Sequence, residues 1–480
     1  VTVELKQLIN GEWVAGSGRA HAVHSPADTT VLVAAGPLAG PEQLTAATES
    51  AHRAARGWAS TPMHERAAIL SAAASIVDDH AQSWGAELTV EEGKTLVEGI
   101  GEVRRAAQIL RYCAGAADRD AGTVYHSPRR GEQILVTRKP VGVVAAITPF
   151  NFPIAIPAWK IAPALIYGNT VVWKPAAAVP LLAMRLASAL HDAGLPAGVL
   201  NLLVADSAVG GGLVDDPRID AITFTGSTRV GRAIAASAAA RGIPVQAEMG
   251  GKNAAVVLAD ADLDLAVDQV MAGAFRSTGQ KCTATSRLVL AESIADDFTQ
   301  RLAKRVEALV VGDPSSSSVE MGPLIDAKSL AYVTDSTSKA IAAGARMVAQ
   351  GSVGDVASGH FFAPTVLEID GDDDIWRDEL FGPVLAVRRA ADVGEAFALA
   401  NDGEYGLSVA VFTRDLETAM RASAELETGI VHINSESAGA DPHVPFGGAK
   451  RSGYGPSEQG EASREFFTHA CTTYLRGGAL

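Results

Sequence analysis

Cys282 lies in the run Thr278-Gly279-Gln280-Lys281-Cys282-Thr283-Ala284, between a stretch of helical periodicity and a short apolar run. A thiol in such a loop can act as a nucleophile, because the thiolate attacks once a proton held with a pKa of about 8.5 finds a base. Glu248 precedes Met249-Gly250-Gly251-Lys252-Asn253. A carboxylate beside apolar Met249 stays basic enough to deprotonate a thiol or a water. Asn151 follows Thr148-Pro149-Phe150 at the end of an apolar run. Its amide can donate to a developing oxyanion, with the Cys282 N–H as a second donor. Lys174 closes the run Thr170-Val171-Val172-Trp173, where its ammonium can meet a ribose or a phosphate. In Phe224-Thr225-Gly226-Ser227-Thr228-Arg229-Val230-Gly231, Gly226 and Gly231 stand at the first and third glycine positions of a dinucleotide fingerprint, with Thr228 in place of the middle one. A side chain there blocks the closest approach to a pyrophosphate, yet the helix N-terminus and its hydroxyls still favour an anion. Taken singly, each feature also fits a plainer role: a buried structural thiol, a surface glutamate, an ordinary strand-to-helix turn.

These groups need elements to hold them. From about residue 134, short apolar runs alternate with helical stretches: 141–147, 170–173, 199–204 and 221–224 read as strands, 181–193 and 229–241 as helices. That alternation predicts a parallel sheet covered by helices. A second such block starts near Asn253, with strands over 254–258 and 286–290 and helices over 263–275 and 297–310. Ahead of both, 41–117 reads as helices, since Ala47, Ala51, Ala54, Ala55 and Trp58, then Ile69, Ala73 and Ile76, recur at helical spacing. Residues 121–139 and 466–475 read as two isolated strands whose unpaired edges seek a second copy of the chain. Ser315 to Ser318 reads as a surface loop.

The chain has 480 residues, which at ordinary domain sizes is about three units. A formal charge of -15 opposes binding to nucleic acid or anionic lipid. With 48% apolar residues the chain can build a large core. Three cysteines, Cys113, Cys282 and Cys471, exclude a disulfide scaffold. Cys113 sits in a helical pattern and Cys471 in a terminal strand, and neither has the setting of a reactive thiol. The first 18 residues lack a secretory pattern, so a reducing cytoplasm is expected. The uncharged run 140–159 has the length of a membrane span, but Pro140, Pro149, Pro153 and Pro157 forbid a regular helix there. The 11 histidines are scattered; His21 and His24 are the close pair, His432 and His443 flank a loop, and no metal site is expected.

Taken in order, these motifs form a set that resembles the aldehyde dehydrogenase superfamily across essentially the whole chain. The matching segments are Thr148-Pro149-Phe150-Asn151-Phe152-Pro153, Trp173-Lys174-Pro175-Ala176, 224–231, Glu248-Met249-Gly250-Gly251-Lys252, 279–282, Glu379-Leu380-Phe381-Gly382-Pro383 and Pro445-Phe446-Gly447-Gly448. The resemblance implies an α/β protein of the aldehyde dehydrogenase fold, with two Rossmann-like α/β domains and a β oligomerisation arm. It places an NAD(P)-binding domain at 1–120 and 141–250, a catalytic domain at 251–450, and the arm at 121–140 and 462–480. By the same resemblance Cys282 is the nucleophile, Glu248 the general base and Asn151 an oxyanion donor. Lys174, Gly226, Ser227, Gly231, Pro149, Phe150, Glu379 and Phe381 would contact the dinucleotide. The implied reaction passes through a thiohemiacetal and a thioester to a carboxylic acid, in a homodimer or homotetramer.

Other segments are similar to α-ketoglutaric semialdehyde (2,5-dioxopentanoate) dehydrogenases: 152–165, 279–287, and His443-Val444-Pro445-Phe446-Gly447-Gly448 with the later 454–460. Succinic semialdehyde and aromatic aldehyde dehydrogenases are the neighbouring options. A carboxylate-bearing substrate would want an arginine, and Arg276, Arg287, Arg104 and Arg105 are available. NAD-preferring relatives commonly carry an acidic residue three positions after the Lys174 equivalent. Here that position is Ala177, which removes a repulsion against a 2'-phosphate and favours NADP, with NAD the other option. Two rival classes are a CoA-acylating dehydrogenase and a noncatalytic binding protein. The Glu248 motif opposes the first, and the presence of both Cys282 and Glu248 opposes the second.

Overall fold

Successive residues of Val143–Ile147 point to opposite faces of a sheet, as a strand requires: Val144 and Ala146 enter one apolar core, Val143 and Ala145 another. The same alternation sorts Val171 and Trp173 from Val172 on Thr170–Lys174. A strand buried on both sides reads as a continuous apolar run, which is how the sequence announced it. In the computed structural model, residues 2–356, 358–371 and 373–477 are described; Val1, Ala357, Asp372 and residues 478–480, the last of which end the segment expected for the arm, lie outside the described residues.

Val143–Ile147 pairs in parallel with Thr170–Lys174 on one side and Ala221–Thr225 on the other. Leu200–Leu202 and Val245–Glu248 extend the parallel run outward. Gly453–Tyr454 and the hairpin Lys6–Ile9 with Glu12–Ala15 complete an eight-stranded sheet through antiparallel edges. Helices Pro41–Ser60, Met63–Asp79, Ala81–Glu92 and Leu96–Ala114 account for the helical N-terminal stretch.

The second block is a seven-stranded sheet centred on Asn253–Val257 and Thr285–Ala291. Ala254 and Val256 face one core, Ala255 and Val257 the other. Val384–Ala390, Thr365–Glu368, Ser408–Phe412 and Ile430–Ile433 join in parallel, and Arg346–Gln350 adds an antiparallel edge.

Two expectations change. The segment 121–139 is a hairpin of Gly122–His126 and Glu132–Pro140, closed at Gly131 with φ +72° and by Ser127 and Arg129 donating to the Glu132 carboxylate. Thr468–Arg476 pairs along its far side, from Thr468 opposite Pro140 to Arg476 opposite Glu132, so the two isolated strands become one three-stranded sheet. Phe466 and Phe467, expected to open the terminal strand, instead end the helix Gly460–Phe467, because both rings are buried in the first core.

Candidate active site

Chain order decides where a ligand can sit. From Val143–Ile147 the chain lays its next two parallel strands to one side and then Ala221–Thr225 and Val245–Glu248 to the other. The loops leaving Ile147 and Thr225 therefore diverge, and a crevice opens at the carboxyl ends of the strands. Registers put Ile147 opposite both Lys174 and Phe224, and Thr225 opposite Glu248. Lys174 and Glu248 thus end strands three sheet intervals apart, about 14 Å.

Each carrier has local support. Trp173 Nε1 donates to Thr148 Oγ1 at 2.9 Å, holding the Thr148-Pro149-Phe150-Asn151 loop over the sheet. Asn151 Nδ2 donates to the Gln280 carbonyl at 2.8 Å, which leaves its second amide hydrogen free and ties this loop to the one carrying Cys282. Ser277, Thr278 and Gly279 are consecutive left-handed residues, φ +53°, +56° and +68°. Such a run is strained for side chains and is held by outside partners. Ser277 N–H donates to Glu98 Oε1 at 2.7 Å, Ile325 N–H donates to Gln280 Oε1 at 2.9 Å, and Asn253 Nδ2 donates to the Cys282 carbonyl at 2.7 Å. Across the crevice Glu379 Oε1 accepts from Gly251 N–H at 2.9 Å. A Cβ on Gly250 would overlap that same carboxylate, so a side chain there would displace Glu379 from this position. Phe381, itself at φ +54°, meets Phe150 edge to face at 5.7 Å.

Cys282 is the meeting point of two cavities. One, about 450 Å³, is lined by Pro149, Phe150, Asn151, Lys174, Gly226, Ser227, Glu379 and Phe381 as well as Cys282. The other, about 280 Å³, is lined by Phe152, Trp159, Phe446, Lys281 and the helix Leu96–Ala114. Gly231 lines neither; it lies under Phe224 and Met249, where a Cβ would collide with both, and so sets helix-to-strand packing. Glu248 also lines neither. It is buried behind them, accepting from Gly448 N–H at 3.2 Å.

The first cavity suits a dinucleotide. Lys174 is a half-buried ammonium with one long bond, 3.3 Å to the Pro175 carbonyl, and burial depresses its pKa against the attraction of Asp206. A partly desolvated cation with so little hydrogen bonding gains when an anion joins it. Ser227 caps the helix Thr228–Arg241 without spending its hydroxyl on the cap, and Thr225 Oγ1 is buried with no partner. A helix N-terminus with idle donors is an anion site. The second Glu379 oxygen is free to accept from a ribose hydroxyl.

Burial dominates the electrostatics of the reacting groups. It pushes the Cys282 thiol up to about 12, with repulsion from Glu379, Glu248 and Glu458 adding to it. It holds Glu379 up at about 7 and Glu248 well above the carboxylate range, the latter reinforced by Glu458. Burial and the neighbouring carboxylates therefore favour the Cys282 thiol over its thiolate.

Sequence reasoning missed the buried ion pair of Lys160 and Glu458, which packs beside Glu248; Lys160 Nζ also donates to Thr223 Oγ1 at 3.1 Å. It missed Lys94 and Glu102 as well, paired at 2.7 Å beneath the second cavity. The available signal was a lone lysine inside an otherwise apolar helix, since unpaired lysines are almost never fully buried. Of the arginines, Arg287 is spent on carbonyls of Lys252, Leu399, Ala400 and Asp402 and lies over Trp376. Arg276 pairs with Glu436 on the surface, Arg104 is exposed, and Arg105 alone of the four lines the second cavity. Among the described residues no helix is long and apolar enough to cross a membrane, and no group of three or more His, Cys, Asp or Glu could hold a metal ion.

Comparison with known proteins agrees with this geometry. The family model described as the aldehyde dehydrogenase family matches residues 13–473. The chain is 40% identical over 475 residues to an alpha-ketoglutaric semialdehyde dehydrogenase of Bacillus subtilis, covering 98% of this chain and 97% of that one. It is 41% identical over 476 residues to an alpha-ketoglutarate semialdehyde dehydrogenase of Haloferax volcanii, covering 98% of each. A crystal structure of Staphylococcus aureus betaine aldehyde dehydrogenase in complex with NAD+ superposes with a TM-score of 0.94 at 32% identity, covering 98% of this chain and 94% of that one. With a crevice at the switch point, a thiol at its floor and matches of this extent, the chain belongs to the aldehyde dehydrogenase family and is an NAD- or NADP-dependent oxidoreductase acting on small aldehydes.

Proposed function

We propose that this enzyme oxidises α-ketoglutaric semialdehyde to 2-oxoglutarate, with Cys282 as nucleophile, Glu248 as general base, and Asn151 with the Cys282 N–H as oxyanion donors. The observation that carries the reading is the position of Cys282 at the common end of two cavities of unlike chemistry. One offers idle anion donors, the other an aromatic channel whose charged wall carries Glu98 and Glu102 with Lys94, Arg105 and Lys281.

When bound, a nicotinamide dinucleotide supplies the acceptor for the hydride. Lys174, Gly226 and Ser227 would hold its anionic end, Glu379 its ribose, and Pro149, Phe150 and Phe381 would flank it. Cys282 Sγ gives up its proton to solvent water and attacks the aldehyde carbon, and the carbonyl oxygen becomes an oxyanion held by Asn151 Nδ2 and the Cys282 N–H. Expulsion of hydride leaves a thioester on Cys282. Glu248 then turns from its buried position, takes a proton from water, and the hydroxide adds to the thioester. Collapse releases the carboxylic acid and returns the thiolate. The unit 1–120 and 141–250, whose sheet Gly453–Tyr454 completes as an edge strand, is read as the cofactor domain and 251–450 as the catalytic domain. The three-stranded sheet of Gly122–His126, Glu132–Pro140 and Thr468–Arg476, within the arm read at 121–140 and 462–480, joins copies into a homodimer or homotetramer, and the enzyme works in the cytoplasm.

The substrate reading is tested by a panel of aldehydes with each nucleotide. The expected result is the highest kcat/KM for α-ketoglutaric semialdehyde, by about tenfold over succinic semialdehyde and benzaldehyde. Equal rates on all, or a preference for the aromatic substrate, overturns it. Acyl-CoA accumulating in place of free acid on addition of CoA overturns the hydrolytic step.

Ala177 supports NADP as the preferred nucleotide. Ala177→Glu restores the acidic residue common at this position in NAD-preferring relatives, and kcat/KM with NADP is expected to fall about 10- to 100-fold relative to NAD. A strong NAD preference in the unaltered enzyme refutes this reading.

A further inference from the structure

Resting on the reading that the substrate is a carboxylated semialdehyde, we infer that Arg105 binds its distal carboxylate at the mouth of the second cavity and sets specificity. The helix Leu96–Ala114 presents Glu98, Gly101, Glu102 and Arg105 to that cavity, a spacing of i, i+3, i+4 and i+7 that forms one stripe. Along the axis Glu98 and Arg105 are about 10 Å apart. Glu98 marks the inner end, because it holds Ser277 in the loop that carries Cys282. Between them, a Cβ on Gly101 would meet nothing within 4 Å, so the channel is open at that level.

Every other charge on this wall is committed. Glu98 accepts from the Thr95 N–H and hydroxyl and from Ser277 N–H. Glu102 accepts from Lys94 and from the N–H groups of Ile154 and Ala155. Lys94 is spent on Glu102 and the Asn151 carbonyl, each at 2.7 Å. Lys281 Nζ is drawn behind the wall, 3.3 Å from the Ala272 carbonyl and 3.7 Å from Glu436.

Arg105 differs. It is ion-paired only through Nη1, which lies 3.3 Å from Asp441 Oδ1 and also donates to Gln108 Oε1 at 3.0 Å, both at the rim. Nε and Nη2 donate to no described residue, which leaves one edge of the guanidinium fork for a carboxylate. Ala438, Gly439 and Ala440 also line the cavity and add little bulk to it. In this arrangement the aldehyde of a short dicarbonyl acid lies at Cys282, which lines the same cavity, while its carboxylate pairs at the rim.

The test compares α-ketoglutaric and succinic semialdehydes with pentanal and butanal in the unaltered enzyme, Arg105→Met, Arg105→Lys and Lys281→Met. In Arg105→Met the ratio of kcat/KM for carboxylated over uncharged aldehydes is expected to fall about 10- to 100-fold, chiefly through KM. Arg105→Lys, which keeps the charge and loses the fork, is expected to lie between. An unchanged ratio in Arg105→Met, a parallel fall for both substrate classes, or a fall in ratio confined to Lys281→Met overturns the assignment. If the unaltered enzyme itself shows no preference for carboxylated aldehydes, the substrate reading fails and takes Arg105 with it. If that preference exists and survives Arg105→Met, the Arg105 assignment fails by itself.

Discussion

Cys282→Ala is expected to reduce NAD(P)H formation by about 10⁴-fold or more, because no second group can form the acyl intermediate. Cys113 is buried in the helix Leu96–Ala114, where burial pushes its thiol up to about 12, and Cys471 lies in the strand Thr468–Arg476. Neither lines either cavity. The Cys282 loop should persist in the variant, since Asn253 grips its backbone carbonyl and the side chain is not part of that grip. Thermal unfolding is therefore expected to stay close to that of the unaltered enzyme while absorbance at the reduced nicotinamide band no longer rises. A variant that keeps the full rate would remove Cys282 from the mechanism.

Glu248→Gln is expected to lower steady-state turnover about 10²- to 10⁴-fold. Rapid mixing should still release close to one equivalent of NAD(P)H per site, because the thioester forms and then waits for hydrolysis. Loss of the burst as well would move Glu248 to deprotonation of the thiol. The pH dependence carries a sign. Burial and the nearby Glu458 hold the Glu248 carboxyl well above its ordinary range, and only the ionised form accepts a proton from water. Turnover should therefore fall as pH drops through this raised value, and the acid limb should flatten in Glu248→Gln. Glu379, held up at about 7 by burial, would add a second acid-side loss through cofactor affinity. Measuring kcat and the cofactor Kd across pH separates the two.

Much of the site was legible because its chemistry is local. Strand ends, glycines and polar residues after apolar runs mark where a parallel sheet delivers side chains to its crevice. Lys174, Asn151, Ser227 and Cys282 follow or end such runs, and all of them line the first cavity. Gly231 looked alike in the sequence, but its place under Phe224 and Met249 depends on which face of the helix meets the sheet. The hairpin within 121–139 was harder to read, because its residues are exposed or half-buried and no apolar alternation distinguishes two short strands from one. The strands of 346–433 drew little notice for a related reason: short apolar runs in parallel sheets lack a period that separates them from helix.

The sequence by itself pointed to the reaction class through the order of its motifs, which resemble the aldehyde dehydrogenase superfamily, and the family match over residues 13–473 agrees. The sequence also determined the α/β alternation, because apolar periodicity follows directly from strand and helix geometry. Only the tertiary structure decided that Cys282 stands between two cavities, that Glu248 is set back beside Lys160 and Glu458, and that one arginine of four keeps an edge free in the channel. Those facts depend on distances between residues hundreds of positions apart. Burial, which raises the thiol and both carboxylates, is a property of the surrounding packing and not of the residue itself.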